Sequence, residues 1–94
     1  MDLEFEWDPQ KARMNRQKHG VSFAEAATAF SDSLSATFPD PDHSRTEERH
    51  ITIGLSTLGR LLIVSHLERN GRVRIISARV LTRRERRQYE DSAG

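Results

Sequence analysis

Apolar and polar residues alternate along several stretches of the chain with the period of two that is typical of β-strands. The first stretch, 3–7, sets Leu3, Phe5 and Trp7 against two glutamates and predicts a half-buried edge strand. Four later stretches predict strands at 35–38, 48–55, 61–67 and 72–80. Asn70-Gly71 is a strong hairpin signal, and it is expected to join the last two strands.

Helical spacing and capping residues predict three helices. Asp8-Pro9 supplies an N-cap and a proline at the first helical position, and Gly20 suits the position after a helix, so a helix is predicted over 9–19. Ser22 and Glu25 form a capping box, which predicts a short core helix over 23–31. A second capping box, Thr82-x-x-Glu85, opens a final helix.

The order β-α-α-β-β-β-β-α predicts an α+β fold with an antiparallel sheet packed by helices. The length of 94 residues suffices for one domain, 1–94, with a modest core. Ile51, Ile53 and Leu55 are expected to face inward. The stretches 61–64 and 75–80 are apolar on both faces, so their strands should be central in the sheet. Helices are expected to cover one side of these strands, and a partner chain is one candidate to cover the other side.

Composition excludes several classes of protein. Without cysteine there is no disulfide framework, thiolate metal site or thiol nucleophile. The acidic start does not resemble a signal peptide, and the apolar run 61–64 is too short to span a bilayer, so a cytoplasmic location with no membrane contact is expected. Four histidines lack metal-binding spacing, and no glycine-rich phosphate loop or serine-hydrolase elbow occurs, so neither metal nor cofactor is predicted.

Arginines are concentrated near the C-terminus. Between Arg69 and Arg87 there are eight arginines and one acid, Glu85, although the net charge of the chain is only +1. Such asymmetry predicts an electropositive face that binds a polyanion. Arg79 is expected to share a strand face with the apolar row of Ile75 and to lie beside the next helix, where it could clamp a phosphate; alternatively it is structural and bonds a carbonyl or carboxylate.

Other candidate groups are less specific. Lys11, Asn15 and Lys18 form one stripe of the first helix beside His19, which suits either phosphate binding or an exposed helix face. His66 and Glu68 are expected to share a strand face, either as a catalytic pair or as the solvent side of a hairpin.

Three motifs resemble those of the BrnT toxins of type II toxin–antitoxin systems, and the likeness covers nearly the whole chain. They are W-D-x-x-K-x-x-x-N-x-x-K-H-G at 7–20, R-I-I-S-A-R at 74–79 and E-R-x-x-Y at 85–89. The chain departs from the family pattern at Leu67, where threonine is usual, and at Leu81, where alanine is usual.

The resemblance implies a RelE-like, RNA-cleaving toxin that inhibits translation. It also implies a BrnA antitoxin, whose ribbon-helix-helix domain binds operator DNA, and a toxin–antitoxin hetero-oligomer. Metal-independent cleavage would need proton transfer and cations around the scissile phosphate. Arg79 is the predicted phosphate clamp, and His19 and Glu68 are the proton-transfer candidates. The predicted RNA-binding residues are Lys11, Lys18, Arg69, Arg72, Arg74, Arg83 and Arg84. The rival hypothesis is a non-catalytic nucleic-acid-binding repressor; an interface for an acidic protein is also open.

Overall fold

A computed structural model describes residues 2–43 and 48–93. The elements, in chain order, are β1 (Phe5–Glu6), α1 (Pro9–His19), α2 (Phe23–Thr28), a 3₁₀ turn (Ala29–Ser31), β2 (Ala36–Pro39), a second 3₁₀ turn (Pro41–His43), β3 (Arg49–Leu55), β4 (Leu61–Arg69), β5 (Arg72–Val80) and α3 (Arg83–Ala93). The predicted α+β order is therefore confirmed, and the predicted helix over 23–31 consists of α2 and the first 3₁₀ turn.

The strands form one five-stranded sheet in the order β1-β5-β4-β3-β2. Strands β2 to β5 are antiparallel neighbours, but β1 runs parallel to β5, with Phe5 opposite Val73. The predicted antiparallel strands are thus β2 to β5, and β1 joins them in parallel at the edge, which makes the sheet mixed. Asn70 and Gly71 turn the β4–β5 hairpin with φ of 54° and 76°, as an Asn-Gly hairpin requires.

The main core lies between the helix α1–α2 layer and one face of the sheet, here called the core face. Its buried residues are Val21, Phe23, Ala26, Leu62, Val64, Ile75 and Ala78. Trp7 packs edge-on against Phe23, and Phe5 packs edge-on against Phe30, so these two residues of the predicted apolar row contribute to the core. Leu3, the third residue of that row, is exposed.

Strand β3 has the opposite phase to the predicted one. Thr52 and Gly54 are buried on the core face, whereas Ile53 is half-buried and Leu55 is exposed on the other side. A Cβ on Gly54 would collide with the carbonyl oxygen of Ala29, so only glycine fits where the 3₁₀ turn crosses the strand. The isoleucines instead lie on the opposite side of the sheet, here called the second face.

A β-bulge at Ile76 changes which way Arg79 points. Ser77 pairs with Ser65, but the next pair is Ile75 with His66, so Ile76 has no partner residue in β4. Because of this extra residue, Ala78 joins Ile75 on the core face and Arg79 projects from the second face. The expectation that Arg79 follows the inward row of Ile75 was therefore wrong.

Helix α3 covers one part of the second face. Phe38, Ile53 and Ile63 of the sheet line a groove with Leu81 and Tyr89. The Tyr89 hydroxyl donates a hydrogen bond of 2.7 Å to the Leu34 carbonyl oxygen, which anchors the helix near its C-terminal end. Helix α3 of the same chain thus covers part of the face for which the sequence suggested a partner chain as a candidate.

Candidate functional site

Asn15 fixes helix α1 against the edge of β5. Its amide nitrogen donates to the carbonyl oxygens of Val21 (2.9 Å) and Ala78 (2.8 Å), and its amide oxygen accepts from the Ala78 N–H (3.0 Å). The side chain is buried and bonds Ala78 much as a neighbouring strand would. Asn15 is therefore a structural residue, and its inclusion in an exposed phosphate-binding stripe was wrong.

An ion pair between Arg60 and the buried carboxylate of Glu25 holds the C-terminal end of α1, where His19 lies. Glu25 pairs with Arg60 and accepts a hydrogen bond of 2.7 Å from the Ser56 hydroxyl. Arg60 also donates to the Gly20 carbonyl oxygen at 2.9 Å, immediately after His19. The hydrogen bond from Arg60 lowers the pKa of Glu25, so the carboxylate stays ionised and joins α2 to the β3–β4 turn.

An open groove runs between α1 and the bulged edge of β5, and we call it the α1 groove. It is lined by Lys11, Met14, Asn15, Gln17, Lys18, His19, Ile76 and Ser77. Helix α1 contains Lys11, Arg13, Arg16, Lys18 and His19 but no acidic residue. Within the described parts of the chain, neither Lys11 nor Lys18 forms an ion pair. The α1 groove is therefore electropositive and open to an anion.

Arg79 is held by a bidentate ion pair at the start of α3. Its Nη1 and Nη2 atoms donate to the two carboxylate oxygens of Glu85 at 2.7 and 2.8 Å. Glu85 also accepts from the Thr82 N–H (2.9 Å), and its own N–H donates to the Thr82 hydroxyl (3.1 Å), which confirms the predicted capping box. These contacts lower the pKa of Glu85 to about 2. Arg79 thus has the carboxylate partner that the structural alternative predicted.

The ion pair leaves part of the Arg79 guanidinium available. Besides the Glu85 bonds, Nη1 makes only a long contact of 3.4 Å with the Val80 carbonyl oxygen, so Nε–H and one Nη2 hydrogen have no acceptor among the described residues. The side chain is 38% exposed. Ser77, two residues earlier on the same face, lines the α1 groove. Arg79 and the α1 groove are therefore neighbouring surfaces that meet at Ser77.

The acidic N-terminal strand neutralises two other arginines of the run. Glu4 accepts from Arg72 at 3.1 Å, and Glu6 accepts from Arg74 at 2.6 Å. Arg72 and Arg74 are therefore less available to bind a phosphate, because the phosphate must compete with a carboxylate already in place.

The remaining arginines lie on the outer side of α3 and at the hairpin end. Arg86 makes a long contact of 3.6 Å with Glu90. Arg83, Arg84 and Arg87 line an open surface with Gln88 and Asp91, and they form no ion pair with residues that the structure describes. Arg69 lies opposite Arg72 at the end of the β4–β5 hairpin.

The structure does not bring Glu68 to Arg79. Arg79 lies opposite Ile63 in the sheet, and Glu68 is roughly 16 Å further along β4 at the usual rise per residue. Glu68 pairs with Val73 on the core side, whereas Arg79 projects from the second face. Glu68 instead borders a concavity with Glu48 and His50. A single centre that contains all three predicted catalytic residues is therefore not formed.

His66 is a core residue. The interpretation that placed it on the solvent side of a hairpin was therefore wrong. His66 is 8% exposed, its Nε2 lies 2.7 Å from the Thr52 hydroxyl, and its ring packs edge-on against Phe30. The ring of His50 stacks on it at 6.0 Å. Burial, with a smaller contribution from the charge of His50, lowers the pKa of His66 to about 4.

Burial of neutral His66 should make the stability of the protein fall as pH falls. Its folded-state pKa lies below the usual value of about 6.5, so the unfolded chain binds more protons between about pH 6.5 and pH 4. We expect a loss of about 3 kcal/mol across this range, measured by urea unfolding. His66→Gln should flatten the profile between pH 7 and 5, where carboxylates contribute little. A profile that His66→Gln leaves unchanged would contradict the assignment of this effect to His66.

Sequence reasoning missed Met14, Ile76 and Ser77 as residues beside the candidate site. Met14 is 60% exposed, which is unusual for a large apolar side chain. The one signal of this in the sequence is an apolar residue inside a basic helix. Ile76 and Ser77 border the groove because of the bulge. Among the described residues, no cluster of histidine and acidic side chains suits a metal ion, and no helix is long and apolar enough to cross a bilayer.

Comparison with known proteins identifies the chain's family. Residues 7–85 match the family model described as "Ribonuclease toxin, BrnT, of type II toxin-antitoxin system". The chain belongs to the BrnT family. Its expected identity as a ribonuclease toxin of a type II toxin–antitoxin system, with RNA as substrate and an antitoxin as partner, is thereby confirmed.

The fold of this BrnT-family chain also matches a solved structure. The 1.1 Å crystal structure of the Brucella abortus ribonuclease toxin, BrnT, superposes with a TM-score of 0.69 at 24% sequence identity. The match covers 87% of this chain and 100% of the Brucella chain, and it supports the fold. A comparison with curated protein sequences finds no match.

The two leucines at which the resemblance implied a departure from the BrnT pattern are both buried. Leu67 is 5% exposed and Leu81 is 8% exposed. Leu81 lines the groove beneath α3, so its side chain fills space between that helix and the sheet.

Proposed function

We propose that this BrnT-family toxin is a metal-independent endoribonuclease whose scissile phosphate binds at Arg79. The observation that carries the proposal is the bidentate Arg79–Glu85 pair, which fixes a partly exposed guanidinium beside the α1 groove with two N–H groups unused. A guanidinium oriented in advance can stabilise charge on a phosphate oxygen without the cost of reorganising itself during the reaction.

The proposed reaction is attack of the ribose 2′-hydroxyl on the adjacent phosphorus. A base takes the 2′-proton, Arg79 stabilises the charge that grows on the phosphorane, and an acid protonates the departing 5′-oxygen. The products are a 2′,3′-cyclic phosphate and a 5′-hydroxyl. No metal enters the scheme, because arginine and lysine supply the positive charge.

His19 is the proposed proton-transfer residue. It ends α1, borders the α1 groove and is half-buried, and an imidazole ring can either accept or donate a proton. Glu85 is unsuited as a base, since Arg79 and Thr82 occupy its oxygens and hold its pKa at about 2. The distance of Glu68 from Arg79 along β4 leaves it outside the proposed centre, so its catalytic role is not retained.

Four cations of the proposed RNA path form no ion pair with residues that the structure describes. Lys11 and Lys18 lie in the α1 groove on one side of Arg79, and Arg83 and Arg84 lie on α3, the helix that Arg79 joins through Glu85. Arg72 and Arg74 contribute less, because Glu4 and Glu6 already bind them. Arg69 remains a proposed contact at the far end of the hairpin.

The proposed biological role is inhibition of translation in the cytoplasm, with a BrnA-type ribbon-helix-helix antitoxin as the neutralising partner. Operator DNA is contacted only through that antitoxin, in a toxin–antitoxin hetero-oligomer. Exposed apolar side chains near α3, including Leu34, Phe38 and Leu55, offer surface to such a partner, and Arg83, Arg84 and Arg87 would favour an acidic one.

Metal independence predicts full activity in chelator. Purified, antitoxin-free protein should cleave single-stranded RNA in excess EDTA at the same rate as in buffer with Mg²⁺, and the fragments should carry cyclic phosphate ends. Cleavage is measured on denaturing gels, and end groups by mass spectrometry. Tight RNA binding without fragments would instead favour the rival hypothesis, a non-catalytic nucleic-acid-binding repressor, and cleavage that stops in EDTA would contradict the metal-free scheme.

A further inference from the structure

The α1 groove combines features that the cleavage reaction itself does not require. A phosphate clamp needs cations, but this groove also presents two apolar side chains, Met14 and Ile76, between its cationic residues. Met14 is 60% exposed although it does not pack in the core. Its exposure indicates a surface that an aromatic or apolar group can cover.

The cations of the groove are spaced along the helix around Met14. Lys11 and Lys18 are seven positions apart, which is roughly 10 Å along the axis of α1, and Met14 lies between them on the same side. Among the residues that the structure describes, no carboxylate lines the groove. Two cations with an apolar patch between them match a chain whose charged groups alternate with flat aromatic groups, as single-stranded RNA does.

The apolar patch suits a nucleobase in particular. A methionine thioether is polarizable and makes favourable contacts with aromatic rings, and Ile76 supplies a second apolar surface from the bulge in β5. Gln17 and Ser77 add polar groups at the border of the groove. An A-form duplex buries the faces of its bases, so it could not make this contact, whereas an unpaired base could.

We propose that the α1 groove is a subsite for one unpaired nucleotide next to the scissile phosphate, with its base on Met14 and Ile76 and its flanking phosphates at Lys11 and Lys18. This inference rests on the proposed function for the position of the scissile phosphate at Arg79. Ser77 borders the groove and lies two residues before Arg79 on the second face, so RNA could pass from one surface to the other over the edge of β5.

The test uses a short 2′-O-methyl RNA, which lacks the attacking hydroxyl and therefore binds without being cut. Fluorescence anisotropy across a salt series should show that Lys11→Gln/Lys18→Gln weakens binding at least tenfold and lowers the log–log salt slope by about 1.4, or about 0.7 for each lost phosphate contact. Arg13→Gln/Arg16→Gln is the matched control, because it removes the same charge from exposed positions of α1 outside the groove.

Met14→Ser separates base contact from charge. It should weaken binding several-fold and leave the salt slope unchanged, since no charge is altered. Thermal unfolding checks that each variant is folded. Equal effects of the groove and control pairs would overturn the proposal in favour of diffuse attraction, as would a Met14→Ser variant that binds like the wild type.

Two further outcomes separate this inference from the proposed function. Binding that follows the predicted pattern in a protein that never cleaves ordinary RNA would support the subsite and refute the nuclease. Cleavage at the normal rate by the Lys11→Gln/Lys18→Gln variant would refute the subsite and leave the nuclease standing. If the groove variants lost only the binding of the recombinant cognate antitoxin, the groove would be a protein interface and the subsite would be refuted.

Discussion

Arg79→Ala should lower the rate of RNA cleavage by about 10²–10³-fold and abolish growth arrest in cells that express the toxin without its antitoxin. The expected loss has a specific cause: the two unused N–H groups of Arg79 are the ones proposed to meet the phosphorane oxygens. Arg79→Lys should recover little activity, because an ammonium cannot bond Glu85 and a phosphate with the geometry of a guanidinium. Single-turnover cleavage of a defined RNA measures the effect.

The ion pair with Glu85 makes a stability control necessary. Arg74→Ala is matched to Arg79→Ala, because Arg74 also forms an arginine–glutamate pair, with Glu6, and projects from the same face of the sheet. Both variants lose one partly exposed ion pair, so their changes in unfolding free energy should be similar, about 1 kcal/mol or less. Only Arg79→Ala should lose catalysis. Equal activities of the two variants, or normal growth arrest by Arg79→Ala, would refute the clamp assignment.

Local features of the chain were predictable from the sequence because their causes are local. Asp8 caps α1 through the Gln10 N–H, Gly20 ends it with φ of 70°, and the Thr82–Glu85 box opens α3, all within a few residues. At such positions the backbone needs a capping hydrogen bond or a residue that tolerates positive φ, and nearby residues supply both. The helix boundaries could therefore be predicted from the capping residues.

Features that depend on distant parts of the chain were not predictable in the same way. The bulge at Ile76 arises from pairing with β4, and it reversed the direction of Arg79 without any sign in the alternating pattern. The acids that neutralise Arg72 and Arg74 precede them by 68 positions. One interpretation of the sequence placed His66 in solvent because its polar neighbour Glu68 shares its strand phase. The edge of Phe30 and the stacked ring of His50 bury it instead.

Some features of the candidate site could therefore be predicted from local sequence signals, and others depend on contacts between distant parts of the chain. The family motifs contain Lys11, Lys18, His19 and Arg79, and the structure places the first three around one groove, with Arg79 on the adjoining surface. The same motif contains Asn15, whose side chain faces the protein interior. A motif thus mixes residues that are proposed to contact RNA with residues that hold the helix in place, and only their contacts in the structure distinguish the two.

Asn15 provides the clearest test of that division. Asn15→Ala should lower the free energy of unfolding by about 3–5 kcal/mol, because it leaves the Val21 carbonyl and both backbone groups of Ala78 without their buried partner. Such a loss is a large part of the stability of a small domain, which is about 5–15 kcal/mol. Asn15→Asp has nearly the same shape but loses the amide donors and sets a carboxylate against two carbonyl oxygens, so it should be at least as damaging. Urea unfolding at pH 7 measures both.

The matched control on the same helix is Lys11→Ala, an exposed residue whose loss should change stability by less than about 0.5 kcal/mol. The two substitutions should have opposite signatures: Lys11→Ala weakens RNA binding and leaves the unfolding transition in place, whereas Asn15→Ala shifts the transition. If Asn15→Ala kept normal stability but lost RNA binding, Asn15 would belong to the RNA surface, and the edge of β5 would be held by other contacts. Since Ala78 immediately precedes Arg79, partial loss of the Asn15 bonds should also loosen the strand that carries the proposed clamp, which ties the stability of α1 to the geometry of the site.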